Sequence, residues 1–464
     1  MSAPWPAPRA RGPLSATVSL PGSKSLTARY LVLAALAEGP SRLTGVLDAR
    51  DSRLMERALG VFGARFNHTA PDAVEVVPAA RRLGAQHRSP DAAAAVPAAG
   101  APRAAAGGAS GIDVGLAGTV MRFLAPVAAL AEGRFTFDGD RAAAARPIRP
   151  LLAALGGLGA DVGWPPEGES LPFTITGRGR LRGGRARLDT RASSQFLSAL
   201  LLAAPRFEDG LRVELSPPSL PSRPHVDMTI RALNEFGARA RATGEWSWEV
   251  APGGLAGRHL AVEPDLSNAA AFLAAALVAG GEVRVPGWPG RTDQPGDRLR
   301  DHLRAFGAAV DWRPLGEAAP GGPAPAGAGV LTVSAEAGRI GGVDLDLGAA
   351  GELTPVLAAL AALASAPSRL RGIGHLRGHE TDRLAALTAE INRLGGDARE
   401  LPDGLEIRPR PLRGALVRTY GDHRLAAFGA LIGLATPGVE VEDVAVTAKT
   451  LPAFTGLWQA MVAA

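Results

Sequence analysis

Cysteine is absent from all 464 residues, which removes disulfides, thiolate metal sites and a cysteine nucleophile together. Lysine is nearly absent: of 50 basic residues, 48 are arginine and two are lysine, Lys24 and Lys449. Aromatic residues make up 5% of the chain and no basic run is interleaved with them, so a base-stacking surface is not expected and nucleic acid is not a partner. The sequence pI near 10.4 does not change this, because the formal net charge is only +5 and the high pI reflects arginine in place of lysine. No segment reaches the roughly 20 unbroken apolar residues of a membrane helix. Residues 1–12 have no apolar core of the signal-peptide kind, and the expectation is a cytoplasmic protein with no membrane partner.

A chain so biased toward arginine keeps lysine where arginine will not serve. Arginine is a wide planar fork that stays charged, whereas lysine is a compact point charge whose pKa can move. Lys24 and Lys449 are therefore candidate active-site residues before any motif is consulted.

The length exceeds one ordinary core and implies two or three domains. Two kinds of helical segment alternate along the chain. Six are almost wholly apolar, at 29–38, 121–132, 196–204, 269–280, 353–366 and 425–434. Six are amphipathic, most ending in a Phe/Leu-Gly signal, at 55–63, 151–159, 230–237, 299–307, 387–395 and 454–462. Their recurrence at roughly 70 to 95 residues fits a repeated βαβαββ unit. An apolar helix must be surrounded by protein and an amphipathic one can border a core, so the fold class is α/β with helices inside and sheets outside. Short alternating stretches at 173–175, 211–215 and 330–333 supply strands. Two Ala/Pro/Gly-rich stretches, 88–110 and 317–329, are expected to be flexible surface insertions.

Polar motifs cluster at the helix starts. Ahead of the apolar helices stand PGSKSLTAR (21–29), GLAGTVMR (115–122), RASSQ (191–195), DLSN (265–268), GELTP (351–355) and YGDHR (420–424). Ahead of the amphipathic ones stand ARPIRP (145–150), SRPHVD (222–227), HLRGHETDR (375–383) and AKT (448–450). A helix N-terminus offers free N–H groups and the positive end of the dipole, which attract phosphate and carboxylate. Ordinary capping explains a single Ser193, Ser194 or Asp227. It does not explain Lys24, Arg29, Arg146, Arg383, Arg424 and Lys449 at those ends, where a cation opposes the dipole. Cations set against helix dipoles imply a highly charged anionic ligand.

In this order and at these separations, PGSKS with Arg29, AGT-x-MR, RPI, SSQ, ETDRL, DHR and AKT resemble the signatures of the EPSP synthase (3-phosphoshikimate 1-carboxyvinyltransferase) family of enolpyruvyl transferases along essentially the whole chain. The resemblance implies a two-domain inside-out α/β barrel fold, each domain with three βαβαββ units. The crossings then fall near 21 and 262, giving a discontinuous domain of 1–21 plus 262–464 and an inserted domain of 22–261. It implies transfer of the enolpyruvyl group of phosphoenolpyruvate to the 5-hydroxyl of shikimate 3-phosphate, with no cofactor and with a monomer expected. The related UDP-N-acetylglucosamine transferases usually employ a cysteine, which is lacking here. The segment Gly22–Ser25 lacks the upstream glycine of a P-loop. His375 and His379 have helical metal-site spacing without HExxH or an evident third ligand, so no metal is expected.

By the same resemblance, shikimate 3-phosphate is held by Lys24, Ser25, Arg29, Ser193, Ser194, Gln195, Ser222, Glu352 and His379. Phosphoenolpyruvate is held by Lys24, Gly118, Arg146, Gln195, Arg383, Arg424 and Lys449. Glu352 is the candidate base for the 5-hydroxyl, and Lys24 and Glu380 are both candidates for the proton at carbon. The chain departs from the common family pattern at Glu352, His375, His379, His225 and Leu116, where aspartate, asparagine, lysine, tyrosine and asparagine are frequent.

Overall fold

The computed structural model describes residues 3–79, 109–168, 170–315, 327–378 and 380–464. The expected insertion at 88–110 lies outside them except for Ala109 and Ser110, and Ser110 opens the strand Ser110–Asp113. Of the second expected insertion only its end is described. That end corrects the expectation: Ala328 and Gly329 belong to the strand Ala328–Ala335, paired antiparallel with both of its neighbours.

Residues 24–262 form one compact unit. Its helices are α1 (Lys24–Leu36), α2 (Arg50–Val61), α3 (Gly118–Leu130), α4 (Arg149–Gly157), α5 (Gln195–Ala203) and α6 (Arg223–Glu235). Helices α1, α3 and α5 are apolar all round and buried almost throughout. In α2, by contrast, Leu54, Met55, Ala58 and Leu59 form one buried stripe, the pattern of a helix bordering a core.

Three four-stranded sheets repeat one topology, seen in the strands Ser110–Asp113, Glu132–Asp138, Asp161–Gly163 and Phe173–Arg178. The first pairs parallel with the second across α3, and the fourth inserts antiparallel between the second and third. A parallel pair needs such a crossover helix. Each sheet keeps one face on the helices: Leu211, Val213 and Leu215 are buried while Arg212 and Glu214 are exposed. Gly177 shows how closely the layers approach, because a Cβ there would collide with the carbonyl oxygens of Ala128 and Ala131 at the end of α3. In the first sheet the strand His259–Ala261 from the end of the unit takes the leading place beside Ser41–Thr44.

Residues 3–23 and 263–464 form the other unit. It carries α7 (Leu266–Ala279), α8 (Leu299–Ala305), α9 (Thr354–Ala362), α10 (Arg383–Arg393), α11 (His423–Gly433) and α12 (Phe454–Ala463). Two of its sheets repeat the same strand order, one of them led by Leu14–Thr17, which precedes the other unit in sequence. The third sheet is smaller than the others. It has three short strands among the described residues, and the antiparallel place beside Glu440–Val441 is filled by Trp5–Pro6. Near the passage between units, Gly22 bridges to Pro264 and the Ser23 amide donates to the Glu263 carbonyl at 2.7 Å. Among the described residues no helix is long and apolar enough to cross a membrane.

Most helices begin before the apolar segments that reveal them. Helix α1 starts at Lys24 rather than at 29, and α6 at Arg223 rather than at 230. The polar motifs form those first turns instead of preceding them. AKT is a different case: Lys449 lies in the last turn of the 3-10 helix Val444–Lys449, five residues before α12.

Candidate functional site

In the unit 24–262, the first turns of α1, α3 and α5 carry the expected residues. Lys24 Nζ lies 2.5 Å from Oδ2 of Asp51, a buried carboxylate in the first turn of α2. Nothing in the sequence marked Asp51, which belongs to no polar pattern.

Arg29 is turned into the wall. Its Nε donates to Thr229 Oγ1 at 2.8 Å, Nη1 to the Ser25 carbonyl at 2.8 Å and Nη2 to the His225 carbonyl at 2.9 Å. Its guanidinium also lies 5.3 Å from the Phe123 ring centroid. None of these partners is a carboxylate, and burial pushes the Arg29 pKa down to about 9. The arginine ties α1 to α6, which Ser222 precedes and whose first turn holds His225. The Ser222 hydroxyl and His225 Nδ1 share a hydrogen bond of 2.6 Å.

Gly118, the first residue of α3, faces two guanidinium groups. A Cβ there would lie 2.8 Å from Arg122 Nη1 and from both Nη atoms of Arg146. Arg122, quoted in the motif but given no role from sequence, donates to Gln195 Oε1 at 2.7 Å and to the Pro147 carbonyl at 2.9 Å. With Oε1 so engaged, the Gln195 amide presents its NH₂ donors elsewhere. Burial, and then the charge of Arg146, hold the Arg122 pKa well below its ordinary value. Arg146 donates to the Leu116 carbonyl at 3.0 Å, while its buried Nε has no hydrogen-bond partner among the described residues. Two crowded cations at a helix N-terminus favour an anion. Ser193 Oγ accepts from the Gln195 backbone N–H at 3.2 Å, and Ser194 is the residue preceding α5.

The other unit gathers a second set. Arg383, the first residue of α10, is buried and pairs with Asp422 through Nε to Oδ2 at 2.7 Å, and with Glu380 Oε2 through Nη2 at 2.8 Å. Burial alone lowers the Arg383 pKa, but Asp422 and Glu380 outweigh it and the net direction is up. Asp422 is fully buried and caps α11 by accepting from the Arg424 amide at 2.9 Å. Burial works to raise its pKa, and Arg383 reverses this so that the carboxyl sits below its ordinary range. Glu380 also receives Lys449 Nζ at 2.6 Å on Oε1.

The Arg424 side chain makes no hydrogen bond or ion pair with any described residue. Burial first, and then Arg383, lower its pKa, so this guanidinium favours an incoming anion. Glu352, in the turn before α9, accepts from Ser267 Oγ at 3.3 Å through Oε1. Beside it, burial lowers the His375 pKa against the opposing charge of Glu352. A cavity of about 20 Å³ lined by Ser267, Asn268, Glu352, His423, Arg424 and Thr450 lies behind these groups, enough for about one water. His423 is buried, neither ring nitrogen is hydrogen-bonded to a described residue, and burial pushes its pKa down to about 3. His379 lies outside the described residues.

Each unit thus presents cations at helix starts beside groups able to move protons. The structure adds Asp51, Arg122 and Asp422, whose partners are distant in sequence or in the next element, together with the buried His423. The model of the EPSP synthase (3-phosphoshikimate 1-carboxyvinyltransferase) family matches residues 8–79 and 69–458. A 3-phosphoshikimate 1-carboxyvinyltransferase from Kocuria rhizophila is 50% identical over 461 residues, covering 99% of this chain and 96% of the relative. Among solved structures, EPSP synthase from Acinetobacter baumannii superposes with a TM-score of 0.77 at 22% identity, covering 99% of this chain and 97% of that one. The enolpyruvyl transferase NikO from Streptomyces tendae superposes with a TM-score of 0.70 at 18% identity, covering 98% and 96%.

Proposed function

Because this chain belongs to the EPSP synthase family, we propose that it transfers the enolpyruvyl group of phosphoenolpyruvate to the 5-hydroxyl of shikimate 3-phosphate. The products are 5-enolpyruvylshikimate 3-phosphate and inorganic phosphate, a step toward chorismate and the aromatic amino acids. The observation that carries the reading is the anion site at Gly118, where Arg122 and Arg146 crowd one helix N-terminus. The two compact units serve as the catalytic domains, near the boundaries 21 and 262 read from sequence.

Phosphoenolpyruvate is assigned to Lys24, Gly118, Arg146, Gln195, Arg383, Arg424 and Lys449. The arginine forks suit its carboxylate and the lysines its phosphate. Shikimate 3-phosphate is assigned to Lys24, Ser25, Arg29, Ser193, Ser194, Gln195, Ser222, Glu352 and His379. Arg29 also braces Ser25 and His225 through their carbonyls. In the first step the methylene carbon of phosphoenolpyruvate gains a proton and the ring oxygen bonds to the adjacent carbon, losing its own proton. In the second, the phosphate leaves as a proton departs from the new methyl group, restoring the double bond. Glu352 takes the hydroxyl proton, while Lys24 and Glu380 are the groups proposed to act at carbon.

The test is phosphate release with phosphoenolpyruvate and either shikimate 3-phosphate or UDP-N-acetylglucosamine as acceptor. Release with the first alone is expected. Release with the second alone overturns the assignment.

A further inference from the structure

The turn that delivers Asp422 and Arg424 is held by a contact the proposed chemistry does not use. In the turn 419–422 the Asp422 amide donates to the Thr419 carbonyl at 2.8 Å. Both central residues have positive φ, 53° at Tyr420 and 69° at Gly421. This resembles the mirror-image turn in which Asn-Gly is favoured. Glycine enters that region freely, but for a bulky side chain it is an outlier that persists only when the surroundings enforce it.

The enforcing contact is the Tyr420 hydroxyl, which donates to Glu390 Oε1 at 2.7 Å. Glu390 is fully buried in α10. Its Oε2 also accepts from Arg393 Nε at 3.1 Å and from the Arg418 amide at 3.0 Å. Helix α10 is therefore tied to this turn at two points on one face. Arg383 grips Asp422, and Glu390, two helical turns later, grips Tyr420 and the backbone at Arg418. The first tie aligns the buried ion pair; the second fixes the turn from which Asp422 and Arg424 project.

We propose that Tyr420 and Glu390 are positioning residues for the phosphoenolpyruvate half of the site, setting how Asp422 meets Arg383 and how α11 presents Arg424. This rests on the assignment of Arg383 and Arg424 to phosphoenolpyruvate made above.

Two variants test it. Y420F removes the hydroxyl and keeps the ring; Y420N suits a left-handed backbone but cannot reach Glu390. Both are expected to raise KM for phosphoenolpyruvate about tenfold, the lower end of what a hydrogen bond to a charged group contributes. KM for shikimate 3-phosphate should be unchanged. A Y420N protein equal to wild type shows that backbone strain alone mattered and overturns the proposal. So does an unchanged KM for phosphoenolpyruvate in Y420F, or an equal rise in both KM values together with a fall in Tm. Failure of the underlying reading is distinguishable, because the wild-type protein itself would then release no phosphate from the two substrates.

Discussion

Replacing Gly118 by alanine separates the binding role of the α3 N-terminus from its structural one. Gly118 is not among the glycines with positive φ, so alanine meets no backbone penalty, and in a helix interior it is favoured by up to about 1 kcal/mol. The obstacle is space: the new methyl would lie 2.8 Å from three guanidinium nitrogens. Comfortable non-bonded separations are about 3.5–4 Å, so a guanidinium must withdraw by about 1 Å. Arg122 is anchored by Gln195 and Pro147, whereas Arg146 makes one side-chain hydrogen bond among the described residues, to the Leu116 carbonyl, and is the group that moves. Misplacing a positioning group by about 1 Å costs up to about 10²-fold in rate. The expected result is a fall in kcat/KM for phosphoenolpyruvate of about 10- to 100-fold, with the fold intact and KM for shikimate 3-phosphate little changed. Phosphate release across phosphoenolpyruvate concentrations at saturating shikimate 3-phosphate measures this. An unaltered KM for phosphoenolpyruvate in a folded Gly118→Ala protein would refute the placement of that ligand beside Arg146.

Lys24→Arg and Lys449→Arg are each expected to lose about 10²-fold in turnover, because a planar fork cannot reproduce compact contacts now shared with Asp51 and Glu380. Near-normal rates in both, with circular dichroism unchanged, would remove the lysines from the chemistry. Glu352→Gln should keep shikimate 3-phosphate binding but lose most turnover, since an amide hydrogen-bonds without accepting a proton; calorimetry and rates on one preparation decide it. His423 stays neutral in the fold down to about pH 3, while its ordinary value is 6.5, so the unfolded chain takes up a proton first as pH falls. Its contribution is therefore present above pH 6.5 and shrinks toward pH 3, by about 2 kcal/mol at pH 5. Urea midpoints at pH 7 and 5 should differ less in His423→Gln, and an identical pH dependence in both proteins would contradict this.

Much of the architecture is legible in the residues because apolar runs report burial directly. The segments 121–132 and 425–434 mark α3 and α11 to within a few residues. Short elements are not legible in this way. Leu416–Val417 has two residues, and its place in a sheet is set by Glu440–Val441. The candidate site divides similarly. Cations set against helix dipoles are visible as a pattern, but which of them face outward is decided by partners far along the chain. Arg29 is engaged by Thr229, 200 residues away, and Arg383 by Asp422, 39 residues away. Arg424, with the same residue type at the same kind of helix start, has no such partner among the described residues. Asp51 illustrates the opposite limit, an acid whose meaning exists only once α2 lies beside α1.

The connectivity of the sheets also imposes an order on synthesis. The described strands of the unit 24–262, from Ser41–Thr44 to His259–Ala261, are all synthesised before α7, so that unit can close first. Leu14 must wait for Gly281, and Trp5 for Val441. At about 5–20 residues per second this leaves the first strand without its sheet partner for tens of seconds. Until then the leading segment is an unsatisfied strand edge, open to foreign pairing, and the discontinuous unit reaches its native topology only after Glu440–Val441 has been made.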